Sequence, residues 1–132
     1  MNNYNKDSNE EIKLLDIQII VSVITIITII ISITLIYNQK LDLQNKDTLF
    51  SKSKTQKISL INRITLVITA SIFLYINYKL REISESEGED TKPYNLQIIS
   101  SYLTVIASLI VLYVVASTYN IENISDVENP VI

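Results

Sequence analysis

The chain has 132 residues and a mass of 15.1 kDa, with 11 basic and 14 acidic side chains, a formal net charge of −3, one Gly, two Pro and no Cys, His or Trp. Without His or Cys there is no zinc site, thiol nucleophile, His- or Cys-ligated haem, Ser-His-Asp triad or disulfide framework. A single Gly excludes glycine-built phosphate cradles, and a net negative charge offers no general attraction to nucleic acid. No cofactor and no nucleic-acid partner are expected. The 26 Ile crowd with Val and Leu into three blocks, and most of the charges lie outside them.

Residues 1–16 read as a polar N-terminal tail and helix start. Ser8 and Glu11 stand at capping-box spacing, which predicts a first helix beginning near Asn9. Asp16 is the last charge before Lys40, so residues 17–39 are 23 consecutive uncharged positions. Within them, residues 17–37 read as the first transmembrane helix. They are apolar or hydroxyl-bearing on every side, so no polar face remains for water. The same Ile, Val and Thr content suits a β-strand. In hydrocarbon, however, an open strand leaves backbone groups unpaired at several kcal/mol each, whereas a helix pairs its own. A β-barrel would need shorter, alternating segments in larger number. The block is expected to stay as an anchor: it is longer than the ~7–15-residue core of a signal peptide, an acidic tail precedes it, and no small-x-small cleavage site follows Tyr37.

Residues 38–57 form a basic loop, with Lys40, Lys46, Lys52, Lys54 and Lys57 against Asp42 and Asp47. The second transmembrane helix, 58–78, is interrupted by one charge, Arg63, expected to snorkel to the headgroups. An acidic loop, 79–95, follows. Gly88 marks its turn, and Pro93 suits the first turn of the next helix. The third transmembrane helix, 96–119, lies within 29 uncharged positions from Pro93 to Ile121, and residues 120–132 form an acidic C-terminal tail. At ~1.5 Å rise per residue, about 20 residues cross a ~30 Å hydrocarbon layer, and each block is long enough. The expected fold is therefore all-α: an integral membrane protein with three transmembrane helices in a small bundle, its first partner the lipid bilayer. Tyr37, Tyr78, Tyr94 and Tyr119 fall at span ends, where a ring with a polar tip is favoured. Lys and Arg divide six to five between the two sides. The cluster Lys52, Lys54, Lys57 and Arg63 favours the first loop inside and the N-terminus outside.

Inside the spans the polar residues are hydroxyls and amides. Ser22, Thr25, Thr28 and Ser32 share one face of the first span; Asn62, Thr65 and Thr69 share one of the second; Ser100, Thr104 and Ser108 share one of the third, beside Ala107. Small hydroxylated residues let helices approach closely and bond across the gap, at ~0.6 kcal/mol per bond on average. These ten residues are the candidate helix-packing positions, with lining of a polar pore as the functional alternative. Hydroxyls in apolar helices also bond their own backbone, which competes with both roles. No Asp, Glu or Lys sits deep in a span, so the titratable group of a proton-coupled transporter is missing. Asn77, late in the second span, reads as interfacial. The basic loop, with Leu49 and Phe50, has the composition to touch anionic headgroups at ~1 kcal/mol per base, although a solvated loop explains it as well. Glu85, Glu87, Glu89 and Asp90 offer oxygens that suit calcium but lack the EF-hand pattern, so a solvated turn is expected. Asn123-Ile124-Ser125 is a formal glycosylation acceptor, relevant only in a eukaryotic secretory lumen.

Phe73-Leu74-Tyr75-Ile76-Asn77, Gly88-Glu89-Asp90-Thr91-Lys92-Pro93, Leu112-Tyr113-Val114-Val115 and Glu128-Asn129-Pro130, set in an Ile-, Asn- and Lys-rich chain, resemble small three-span membrane proteins of low-GC Gram-positive bacteria. The likeness runs from about residue 12 onward. Those proteins carry no assigned activity, so it implies a bacterial plasma membrane and transfers no functional residue. The function expected is that of a non-catalytic small membrane protein acting through helix–helix contacts, as scaffold, accessory subunit or modulator, associating with itself or with a larger membrane complex. The alternative is a holin-like pore former, matched in length and span number, although holins usually end in a basic tail and this tail is acidic. An enzyme is not expected, because no nucleophile–base pair or buried carboxylate pair can be assembled in the spans.

Overall fold

A computed structural model describes the backbone of residues 2–128 and the side chains of residues 6–119. The described residues are 89% helical and form three helices, α1 (Asn2–Leu43), α2 (Lys52–Ser86) and α3 (Lys92–Glu128), with no strand among them. Each is long and apolar enough to cross a membrane. The glycosylation acceptor at Asn123 and residues 129–132, including Asn129-Pro130, lie outside the described side chains.

Every helix outgrows its apolar block. α1 runs unbroken through Ser8 and Glu11 from Asn2, so the start expected near Asn9 is corrected. A capping box needs a residue with non-helical dihedrals, and here the polar turns simply continue the helix that the apolar run propagates. α2 begins at Lys52, where the Ser51 hydroxyl accepts from Lys54 N–H in an extended N-cap. The segments read as loops, 38–57 and 79–95, leave only residues 44–51 and 87–91 between helices.

Both connections are made by the same device. Gly88, at φ 73°, lies just past α2; its N–H bonds the Glu85 carbonyl, and Glu89 N–H bonds that of Ser84. This is a Schellman ending, whose left-handed position glycine fills without steric cost. Asn45, at φ 56°, does the same past α1, with Asn45 N–H on the Asp42 carbonyl and Lys46 N–H on that of Leu41. Asp90 Oδ1 then accepts from Lys92 N–H to open α3, and Pro93 is its second residue. The acidic stretch 85–90 thus spends its geometry on ending one helix and starting the next.

α2 is the central element. Both α1 and α3 pack on it, and among the described residues no α1 Cα comes within 8 Å of an α3 Cα. Side-chain pairs fix the directions: Asn38 meets Thr55 and Asn62 meets Thr28, while Asn77 meets Ser101 and Arg81 meets Asn95. Each neighbour is therefore antiparallel to α2. The buried apolar cluster is small and sits toward the second loop, where Leu14, Ile76, Leu80 and Ile83 pack together with Ile72 and Tyr94 against them. Elsewhere, apart from the buried Val21 and Ala70, most of the Ile side chains in the spans are exposed. In the most apolar stretch of α3 no residue is buried. A water-exposed fold of this kind would leave most of its Ile in solvent, far beyond the apolar patches that soluble monomers carry.

Candidate functional site

Among the described residues the Cα traces of α1 and α3 stay more than 8 Å apart, and three cavities lie along the α2 face between them. The widest, about 520 Å³, opens at the first-loop end between Asn38, Asp42, Lys52, Ser59, Asn62, Arg63 and Thr118. Arg63 also lines the next, about 310 Å³, with Thr25, Leu66, Thr69, Phe73, Thr104 and Ser108. Ala70, Phe73 and Thr104 continue into a third, about 270 Å³, which reaches Gln18, Asn77 and Gln97. The result is a cleft along the apolar length of α2, polar at both ends and mostly apolar in the middle.

The ten hydroxyl and amide positions fall into different places. Ser22, Thr25, Thr28 and Ser32 donate to the carbonyls of Gln18, Val21, Thr25 and Thr28 in their own helix. Thr65 and Thr69 donate to Ile61 and Leu66, and Thr104 and Ser108 to Ser100 and Val105. A hydroxyl has one proton, and in an apolar helix the carbonyl three or four residues back is the nearest acceptor. Within the apolar spans, crossing to a neighbour is left to amides, which have two donors and a longer reach. Asn62 Nδ2 donates to the Thr28 carbonyl at 3.1 Å and to Ser32 Oγ at 2.9 Å, joining α2 to α1. Thr25, Thr69, Thr104 and Ser108 gather around the middle cavity, and Ser100 lines the third. Ser22, Thr28 and Thr65 line none of the three.

Three further polar residues join the helices. Asn77, read as interfacial, donates to Ser101 Oγ at 2.6 Å and stitches α2 to α3. Ser101, not its neighbour Ser100, is the buried serine at that contact. Asn38 is 5% exposed; its Nδ2 donates to Thr55 Oγ1, and its Oδ1 accepts from Leu49 and Phe50 N–H, tying the first connection onto both helices. The signal for all three was an amide inside or at the edge of an apolar run, paired with a small hydroxyl on the neighbour.

Comparison with protein-family models, curated proteins and solved structures finds nothing that matches this chain. Electrostatically, the two ends differ. At the second-loop end, Ser86 Oγ lies 3.4 Å from Asp7 Oδ2, so the first turns of α1 stand beside the acidic connection. Loss of solvent on one side, then the charges of Glu89, Glu11 and Asp7, hold the Glu87 carboxyl above the usual glutamate range. Because Glu87 is exposed, the neighbouring negative charges are the part that matters. Among the described residues no group of three acidic side chains is placed to hold a metal ion. At the other end the lining charges are Lys52 and Arg63 against Asp42, a net of +1.

Proposed function

We propose that this is a non-catalytic, multi-pass membrane protein that acts through helix–helix contacts, as a scaffold, accessory subunit or modulator, and that the middle of the cleft receives a transmembrane helix presenting small residues. The observation that carries this reading is the separation of α1 from α3. It leaves Thr25, Thr69, Ala70, Thr104, Ala107 and Ser108 facing a gap that the chain's own helices do not fill. Small and hydroxylated side chains are what allow close helix approach in lipid, where no hydrophobic force draws helices together. We propose a bacterial plasma membrane on the strength of the resemblance alone, and an orientation with the first loop inside and the N-terminus outside on the basic cluster at the start of α2.

A holin-like pore is the second reading, supported by polar groups at both ends of the cleft. Two measurements separate them. A photo-crosslinker at Ala107 should give a discrete protein adduct in native membranes, whereas one at the lipid-facing Ile30 should not. Reconstituted protein should leave liposomes sealed to a trapped dye. Equal adducts at both positions, or robust dye release, would remove the helix-docking reading.

A further inference from the structure

The wide end of the cleft holds two groups without partners among the described residues. Asn62 is 3% exposed, and while its Nδ2 is committed to α1, its Oδ1 has no donor. The amide cannot be turned round, because Nδ2 faces the Thr28 carbonyl, which only accepts. Arg63, its neighbour, lines the same cavity and makes no hydrogen bond or ion pair among the described residues. It stands six residues inside Lys57, roughly 9 Å along the helix axis. It is also the one charge between Lys57 and Lys79 in α2. A cation at such depth is costly unless paired or reached by water.

The cavity's chemistry specifies what would complete it. A guanidinium presents a planar fork of donors that suits phosphate oxygens. A stranded amide oxygen needs a donor. The lining charges sum to +1, so one negative charge complements them. We infer that this cavity binds the headgroup of an anionic phospholipid that carries a hydroxyl, with the phosphodiester on Arg63 and the hydroxyl donating to Asn62 Oδ1. The cavity opens toward the membrane face that carries Lys52, Lys54 and Lys57, so the headgroup enters from its own leaflet while the acyl chains stay in the bilayer. The inference is independent of the partner-helix proposal, which concerns the stretch beyond Arg63.

The test uses the full chain in neutral detergent, exchanged into mixed micelles of phosphatidylglycerol, phosphatidylethanol and phosphatidylcholine in equal amounts, with co-purifying lipid quantified. Phosphatidylethanol keeps the charge and lacks the hydroxyl. The wild-type protein should retain phosphatidylglycerol over phosphatidylcholine by roughly tenfold, the factor that one charge-assisted contact supports, and should also prefer it over phosphatidylethanol. Arg63→Gln should abolish the first preference, and Asn62→Leu the second while keeping the first. Unchanged helicity by circular dichroism qualifies each variant, and the wild-type preferences stand as a readout that needs no variant. Equal retention of the three lipids by the wild type would overturn the proposal. So would undiminished selectivity in a folded Arg63→Gln protein, or displacement of the lipid by millimolar glycerol phosphate, which would assign the cavity to a soluble phosphate ester instead.

Discussion

Replacing Asn62 by Leu separates what a buried amide contributes from what it costs. The side chain makes two bonds to α1, at 3.1 and 2.9 Å, and interhelical bonds in lipid average ~0.6 kcal/mol each, so about 1.2 kcal/mol is lost. Neither α1 partner is stranded by the change, since Ser32 Oγ still donates to the Thr28 carbonyl. Against that loss, the stranded Oδ1 disappears, and an unsatisfied buried acceptor costs ~1–3 kcal/mol. Leu matches Asn in branching and heavy-atom count but is bulkier, so no cavity is created and overpacking offsets part of the gain. The expected result in lipid-free detergent is a protein as stable as the wild type or up to about 2 kcal/mol more stable. The companion Asn77→Leu should go the other way. It removes a single 2.6 Å bond to Ser101 with no stranded atom to relieve, at a cost of ~0.6–1.7 kcal/mol. Reversible unfolding in mixed micelles titrated with dodecyl sulfate, followed by circular dichroism, measures both. A loss above about 2 kcal/mol in Asn62→Leu would mean that Oδ1 is satisfied in the folded protein and that the assignment of donors in the α1–α2 seam is wrong.

Gly88→Ala should destabilise by ~1–2 kcal/mol for backbone reasons alone, because a Cβ there meets nothing within 4 Å; the same titration reads it, and Asn45→Gly should gain a few tenths to ~1 kcal/mol at the matching position. Asn38→Leu should release the first connection, seen as faster amide exchange across residues 44–51 with α2 and α3 unchanged. For Glu87 the sign follows from its raised pKa: an acid more easily protonated in the folded state stabilises fully below its ordinary value of ~4.3. That contribution is lost as pH rises through the raised one. Residues 6–16 should therefore exchange more slowly, relative to intrinsic rates, at pH 4 than at pH 7, and Asp7→Asn should flatten the difference.

The spans were legible because their signal is one-dimensional. An uncharged run such as 17–39 carries its own length, and length alone decides whether a helix can cross hydrocarbon. Gly88 was legible for a similar reason, since one residue type fills that backbone conformation at no cost. The start of α1 was not: Ser8 and Glu11 have the spacing of a cap, yet a helix already propagating through Asn2–Lys6 gives that spacing nothing to cap. Nor was the division of labour between hydroxyls and amides. Spacing places Thr25, Thr104 and Ser108 on faces, but whether a hydroxyl bonds across or back depends on what stands within reach, and in these helices the nearest acceptor is the helix itself. Asn38, Asn77 and Ser101 acquire their roles only when α2 is laid between its neighbours. The cleft is likewise a property of packing, since no local pattern says that α1 and α3 both choose α2 and leave each other apart.

Because the chain has no native Cys, its path through a bilayer can be mapped with single introduced thiols. Lys46→Cys in the first connection and Glu87→Cys in the second are both exposed positions, separated by the whole of α2. In sealed, uniformly oriented vesicles, a membrane-impermeant maleimide should label Glu87→Cys at once and Lys46→Cys only after permeabilisation. Immediate labelling of both would contradict a helix that crosses hydrocarbon between them.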